Sequence, residues 1–350
     1  MRVLLEAAPL ALSSGGMARY TGELSLSLAR CFPEDEFFLA SDQPFEMPAD
    51  APLNLKRGGG PRSAAERRWW LWGLGREARR LGVDLIHGPD FSVPYLPQKP
   101  SVLTLHDLSP WLDPSWHHAA HRVKRRTPVL LELGIATMVI TPSETVRKQA
   151  IERFRLEPER VVAVPEAAAP WLGPVTTSRR EPYFLFVGTL EPRKNVTGLV
   201  EAWREVRRDH PIDLILAGRH RADAPELQSE KGLHVLGEVS DTQLAELYSG
   251  ALAFVYPSLY EGFGLPVLEA MQCGACVITS RATAEAGGAA AVYAESGKEL
   301  SQALRRAAED PAWVVECRTR SRSRAREFSW DRSARLTHQV YEEACRRFDH

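Results

Sequence analysis

The chain has 350 residues, too many for one ordinary core, and its 44% hydrophobic and 25% charged content describes a globular protein, not a disordered one. A formal net charge of -1 gives the whole molecule no pull toward nucleic acid, so any electrostatic preference must be local. No apolar run approaches the roughly 20 residues that span a bilayer, and five cysteines, an odd number spread thinly, fit a reducing compartment.

Short apolar runs alternate with longer amphipathic segments throughout, the pattern of parallel sheets with crossover helices. The stretch Met1–Ala18 bears a faint likeness to a signal peptide, but Glu6 and Pro9 break its apolar middle. A first strand at Val3–Leu5 feeding a Gly-rich loop is expected instead. Further strands are expected at Phe37–Ala40, Asp84–His87, Val102–Leu105, Met138–Thr141 and Val161–Val164. Pro165–Pro174 and Thr176–Pro182 have little periodicity and read as a linker. A second series follows at Tyr183–Val187, Leu214–Ala217, His234–Leu236, Leu252–Tyr256 and Val277–Thr279. Two doubly wound α/β domains with a cleft between them are therefore expected, an N-terminal one over 1–172 and a C-terminal one over 173–330. Cys273-Gly-Ala-Cys276 has no second pair and no nearby histidine at ligand spacing, so it predicts a helix-to-strand turn and no zinc or redox chemistry.

Ligands of such sheets bind beyond the carboxyl ends of strands, and the polar and Gly-rich oddities of the chain fall there. After the first strand comes Ser13-Ser14-Gly15-Gly16-Met17-Ala18-Arg19-Tyr20, whose glycines can present N–H groups to an anion at a helix start. His106-Asp107 follows the strand at 102–105, where an imidazole can bond a substrate hydroxyl or be satisfied by backbone. Gly188-Thr189-Leu190-Glu191-Pro192-Arg193-Lys194-Asn195 places two adjacent cations after a strand. They suit a diphosphate that gains charge as it leaves. After Leu252–Tyr256, two acids separated by seven residues, Glu261 and Glu269, flank Gly262-Phe263-Gly264-Leu265-Pro266, a loop that runs into a helix. The spacing places Glu269 in the first turn of that helix, and each glutamate can accept from the vicinal diol of a sugar or ribose. No DxD pair and no His/Cys cluster with metal spacing occurs, so no metal-dependent diphosphate site is expected, and no cofactor.

These residues resemble the GT-B retaining glycosyltransferases of family 4, the group that includes bacterial mannosyl- and glucosyltransferases of cell-surface glycan assembly. The resemblance runs nearly the whole length and is strongest from Phe184 to Ser280, in FLFVGTLEPRKN, in LGEVSDTQLAELYSGALAFVYPSLYEGFGLPVLEAM and in the two-glutamate spacing. GGMARYTGEL and LTLHDLSPWLDPSWH look like acceptor-side loops of the subgroup often assigned mannose donors, and Phe328-Ser329-Trp330 like the opening of a final helix. The resemblance implies a GT-B fold of two Rossmann-like domains facing each other, with the helix over 331–350 packing back on the N-terminal one. It implies that Arg193 and Lys194 bind the donor diphosphate, with Gly188 in the same loop, and that Glu269 binds the ribose. Glu261 and the backbone of Gly262, Phe263, Gly264 and Leu265 would hold the donor sugar and phosphate, and the base would rest near Val239. His106 would sit by the transferred sugar, and Gly15 and Gly16 by the diphosphate and acceptor. The implied reaction moves a hexose, mannose from GDP-mannose or glucose, with retention, to a hydroxyl of a glycan or lipid-linked acceptor, in a cytoplasmic protein. After Ser280 the sequence departs from the family pattern, with Ala284-Glu285-Ala286-Gly287-Gly288 and Tyr293-Ala294-Glu295-Ser296 standing there; Glu285 is retained, which reads as drift in packing and not loss of activity, and Ala18 stands where glycine is common.

Two basic aromatic stretches remain. Arg62, Arg67, Arg68, Trp69, Trp70, Trp72, Arg76, Arg79 and Arg80 form one; His117, His118, His121, Arg122, Lys124, Arg125 and Arg126 form the other. They suit either peripheral contact with an anionic membrane or a helix whose tryptophans pack on the sheet while its arginines stay solvated. Two competing functions are a sugar-nucleotide epimerase of the same shape, which would interconvert the donor without acceptor, and a non-catalytic nucleotide-sugar-binding protein.

Overall fold

The computed structural model describes residues 1–12, 15–116, 120–177, 179, 181–224 and 226–348. Ser13 and Ser14 of the first Gly-rich loop and His117 and His118 of the second basic stretch lie outside the described residues. The chain forms two compact units, Met1–Glu166 with Ser329–His350, and Ala167–Phe328.

The first unit contains β1 (Arg2–Glu6), α1 (Gly16–Cys31), β2 (Glu36–Ala40), β3 (Leu55–Arg57), α2 (Leu74–Leu81), β4 (Leu85–Gly88), β5 (Ser101–Thr104), the short α3 (Ser109–Leu112), α4 (His121–Glu132), β6 (Met138–Thr141), α5 (Glu144–Phe154) and β7 (Val161–Ala163). Its strands pair in the order β3-β2-β1-β4-β5-β6-β7, all parallel. The second unit contains β8 (Tyr183–Val187), α6 (Val196–Arg207), β9 (Asp213–Ala217), β10 (Leu233–Gly237), α7 (Asp241–Gly250), β11 (Ala253–Tyr256), α8 (Leu265–Gln272), β12 (Val277–Thr279), the one-turn α9 (Ala284–Gly287), β13 (Val292–Tyr293), α10 (Gly297–Glu309) and α11 (Pro311–Ala325). Its parallel order is β10-β9-β8-β11-β12-β13. In each sheet the order reverses beside the first strand, between β1 and β4 and between β8 and β11. Loops leaving the carboxyl ends of those strands diverge and open a binding crevice.

Strands buried on both faces read as continuous apolar runs, and for that reason most of them are visible in the sequence. The exceptions are β3 and β13. Of β3 only Leu55 is buried, and Val292 and Tyr293 are half-buried, so neither edge carries a periodic signal. The boundary between units also falls earlier than the linker composition suggests, after Glu166 and not after Leu172. Ala168, Ala169 and Leu172 are buried in the core of the second unit, and Gln272 Nε2 donates to the carbonyls of Ala169 at 2.8 Å and Leu172 at 2.6 Å.

The last helix, α12 (Trp330–Phe348), belongs to the first unit. Its buried positions Trp330, Ser333, Ala334, Thr337, Val340, Tyr341 and Ala344 recur at helical spacing, which makes one continuous stripe. The imidazole of His338 stacks on Phe32 at 3.8 Å and bonds Asp35 at 2.7 Å. Deeper in, the Tyr341 hydroxyl meets Nδ1 of His87 at 2.7 Å. Nε2 of His87 meets Thr104 Oγ1 at 2.8 Å, and Tyr20 completes the chain to Thr104 at 2.9 Å. Burial drives the His87 pKa down to about 3, so the imidazole is neutral there.

Candidate active site

In the second unit, the loops after β8 and β11 meet at the point where the strand order reverses. β8 is followed by Gly188, whose N–H donates to Ala217 O at 2.9 Å. A Cβ on neighbouring Gly218 would lie 2.2 Å from Gly188 O, so the two loops can approach this closely only with glycine there. Pro192–Lys194 then form a single 3₁₀ turn that Asn195 ends in the left-handed conformation, which turns both cations inward. The β11 loop is stitched to it, with Leu259 N–H donating to Arg193 O at 2.8 Å and Arg193 Nη1 donating to Tyr260 O at 2.7 Å.

Arg193, Lys194 and Glu261 come together, each with a side chain no more than 10% exposed. Lys194 Nζ donates to Glu261 Oε1 at 2.5 Å and to the Tyr256 hydroxyl at 2.6 Å, and it lies 5.0 Å from the Tyr256 ring centroid. Arg193 Nη1 is 3.4 Å from Glu261 Oε2, and its Nη2 donates to Glu191 Oε1 at 2.8 Å. Glu191 also binds the guanidinium of Arg221 through its other oxygen. Burial alone would raise the Glu261 carboxyl, but Lys194 and Arg193 outweigh it and hold the group at about 2. Burial also pulls the Lys194 ammonium below its ordinary value, with Glu261 opposing, and pushes the Tyr256 phenol well up. The result is a dry cluster of fixed charge, the kind of environment in which an anion is strongly felt.

Glu269 is buried on α8 and accepts from the Tyr248 hydroxyl at 3.0 Å. It is not in the first turn as the spacing suggested. The helix starts at Leu265, with Gly264 capping it at φ 107° and Pro266 second, so Glu269 is its fifth residue. A Cβ on Gly264 would lie 2.9 Å from Thr283, so this approach too requires glycine. Phe263 is buried, its ring edge-on to Phe328 at 5.7 Å, which leaves Gly262–Leu265 only backbone to offer a ligand. Val239 is half-buried between β10 and α7.

His106, Gly15 and Gly16 belong to the first unit. Gly15 caps α1 at φ 116° with open space where a Cβ would stand, and Gly16 is the first helical residue. Nε2 of His106 donates to Pro89 O at 2.7 Å, and Nδ1 is 3.4 Å from Glu166 Oε1. Tyr20 packs edge-on against the ring at 4.8 Å. Burial opposes charge on the imidazole, but Glu166, Asp90 and the Pro89 carbonyl outweigh it and raise its pKa. So held, both ring nitrogens of His106 face acceptors, Nε2 the Pro89 carbonyl and Nδ1 the Glu166 carboxylate. Nearby at the end of β1, fully buried Glu6 accepts from the Ala8 N–H at 3.0 Å, and burial lifts its carboxyl to about 8, with Asp42 and Asp90 adding to the rise.

The parts played by Glu191, Arg221, Tyr256, Glu166 and Glu6 emerge only in the structure. Glu191 carried a usable signal, since an acid two residues before a buried arginine is its natural partner. The others depend on contacts distant in sequence.

Residues 14–170 match the family described as Glycosyltransferase Family 4, and residues 174–328 match Glycosyl transferases group 1. The O-antigen chain mannosyltransferase B of Escherichia coli is 33% identical over 285 residues, 73% of this chain and 74% of its own length. Among solved structures, the sucrose-phosphate synthase of Thermosynechococcus elongatus superposes with a TM-score of 0.74 at 20% identity, covering 98% of each chain. HepE of Anabaena, solved with UDP and glucose, also gives 0.74, at 16% identity over 97% of this chain and 99% of its own. Two parallel-sheet units of this connectivity, each matched by its own half of the family, place the chain among the GT-B glycosyltransferases of family 4, group 1.

Proposed function

We propose that the protein is a retaining hexosyltransferase that takes mannose or glucose from a nucleotide-diphosphate sugar and passes it to a hydroxyl of a glycan or lipid-linked acceptor in polysaccharide assembly. The observation that carries this reading is the buried Arg193–Lys194 pair at the strand-order reversal of the second sheet. Mannose is favoured as the sugar by the likeness to the E. coli O-antigen mannosyltransferase.

The two cations are compensated at rest by Glu191 and Glu261. A donor sugar whose hydroxyls donate to Glu261 would draw that carboxylate off Lys194 and free the ammonium for the diphosphate. Charge on the diphosphate grows as the bond from the anomeric carbon to its phosphate oxygen breaks, so both cations act most strongly in the transition state. The acceptor oxygen bonds the anomeric carbon on the face being vacated, and its proton passes to the departing phosphate oxygen. This route needs no enzymic nucleophile. Glu269 takes the ribose hydroxyls, Val239 lies beside the base, and Gly188 and the Gly262–Leu265 backbone line the phosphates and sugar. Gly15 and Gly16 serve the diphosphate and acceptor side, and His106 sits by the transferred sugar. No helix among the described residues is long and apolar enough to cross a membrane. Work at the cytoplasmic face, in a reducing compartment, suits the free cysteines.

Steady-state kinetics with calorimetry test the assignment. Arg193→Ala should mainly lower kcat, whereas Glu269→Ala should weaken nucleotide-sugar binding. Unchanged donor affinity in the second variant would remove the ribose role, and full turnover in the first would remove the leaving-group role.

A further inference from the structure

Within the first unit, a cavity of about 990 Å³ opens between the Trp69–Gly73 segment, Tyr95 and α4. It is within the size range of small-molecule sites. Arg67, Arg68, Arg122, Arg125 and Arg126 line it, against one lining carboxylate, Asp42. Among the described residues no carboxylate forms an ion pair with any of the five arginines.

The helix is arranged against its own stability. Arg122, Arg125, Arg126 and Val129 share one face of α4 at spacings of three and four residues, so like charges adjoin. No acid stands in the first turn, and Arg122 sits there, at the positive end of the helix dipole. Such local conflicts are commonly retained for a ligand, and an anion would resolve all of them together.

The other wall is apolar and rigid. Trp69 is buried in a cluster with Leu4, Phe38 and Leu74, and Trp70 packs on the edge of that cluster. Trp69 therefore packs on the sheet, with Trp70 at its edge. Gly73 lets the segment close, because a Cβ there would lie 2.4 Å from the Trp69 ring. Tyr95 N–H donates to Trp70 O at 2.8 Å, and Arg126 is fixed over the Tyr95 ring at 5.3 Å while donating to its hydroxyl at 2.8 Å. Trp70, Leu71, Val129 and Ile135 give the cavity an apolar side. A sugar would find few acceptors here and a plain anion would leave this side unused.

We propose that this cavity binds the diphosphate end of an amphiphilic acceptor, with guanidinium groups on the phosphates and the first apolar carbons against Trp70, Leu71 and Val129. The inference rests on the transferase reading and adds to it the acceptor class and the residues that select it. Bidentate guanidinium–phosphate contacts give both affinity and orientation.

The test is calorimetric titration of the full chain with farnesyl diphosphate, inorganic pyrophosphate and acidic phospholipid vesicles. Farnesyl diphosphate should bind, more tightly than pyrophosphate and less tightly as salt rises. Arg125→Gln should weaken it about 10-fold and Arg125→Gln with Arg126→Gln about 100-fold. Arg153→Gln, on exposed α5 surface, should not change it, and melting curves check that each variant is folded. Equal affinity for pyrophosphate would overturn the amphiphile assignment. Binding to vesicles but not to farnesyl diphosphate would replace the site with a membrane surface, and loss of binding in Arg193→Ala alone would move the ligand to the donor site. A kinetic arm separates this proposal from the transferase reading. Wild-type turnover of a neutral alkyl glycoside tests the transferase reading by itself. The ratio of kcat/KM for a diphosphate-bearing over a neutral acceptor should fall at least 10-fold in the double variant, and an unmoved ratio would overturn the site.

Discussion

Replacing Glu261 with Gln should destabilise the second unit and make its stability depend on bound nucleotide. The substitution keeps the shape of the side chain but removes the charge that Lys194 faces at 2.5 Å and Arg193 at 3.4 Å. Two buried cations then adjoin, with Glu191 left to compensate them. Breaking a buried pair in this way costs about 3–5 kcal/mol. The pKa route gives a similar figure, since holding the carboxyl at about 2 against an ordinary 4.5 corresponds to roughly 3 kcal/mol at 1.36 kcal/mol per unit. For a unit of this size that is a fall in Tm on the order of 10 °C. Because the folded pKa is depressed, this stabilisation is present above pH 4.5 in the wild type and is lost as pH falls toward 2. Differential scanning fluorimetry with and without GDP or UDP reads both effects. A nucleoside diphosphate supplies the missing negative charge, so it should raise the Tm of the variant by more than that of the wild type. Adding Lys194→Met to Glu261→Gln should recover much of the loss. A Tm within about 1 °C of wild type, or no greater rescue by nucleotide, would refute the reasoning.

Three further substitutions probe the first unit. Glu6→Gln removes a carboxyl whose folded pKa, about 8, lies above its ordinary 4.5. The stabilisation from keeping that proton is complete below pH 4.5 and is lost as pH rises toward 8, so urea unfolding should show the variant gaining on wild type by about 4 kcal/mol from pH 5 to pH 8; a constant difference would contradict the assignment. Tyr341→Phe leaves Nδ1 of buried His87 without its partner at 2.7 Å and should cost about 1–3 kcal/mol in chemical denaturation, with a cost below about 0.5 kcal/mol counting against the network. Glu166→Gln removes a carboxylate that raises the His106 pKa, so the imidazole resonance should titrate at lower pH in the variant by NMR; an unmoved midpoint would show that the rise at His106 has another source.

The fold was legible because both sheets are wholly parallel and covered on both faces, which turns interior strands such as Met138–Thr141 and Tyr183–Val187 into continuous apolar runs. The short edges β3 and β13 bury too little to leave a pattern. In the site, Arg193, Lys194 and Glu261 stood out because each follows a strand and carries charge in a glycine-bearing loop. Glu191 and Tyr256 did not, since one looks like any loop acid and the other like the last residue of a strand. Their part appears only when residues as far apart as 194 and 256 come within 2.6 Å. The helix start after Gly264 was placed correctly in kind but not in register, which moved Glu269 out of the first turn. Charge alone could not divide the basic stretches between membrane and packing. The structure buries the ring of Trp69 and leaves Trp72 exposed, so the packing reading holds for the first of these tryptophans.

The most direct measurement is calorimetric titration of the chain with GDP-, UDP- and ADP-sugars, followed by NMR of the product formed from whichever donor binds. One-to-one binding of at least one nucleotide-diphosphate sugar, GDP-mannose foremost, is expected, clearly weakened in Lys194→Met, with a product that keeps the anomeric configuration of the donor. Binding that is indifferent to Lys194, or a product of inverted configuration, would contradict that expectation.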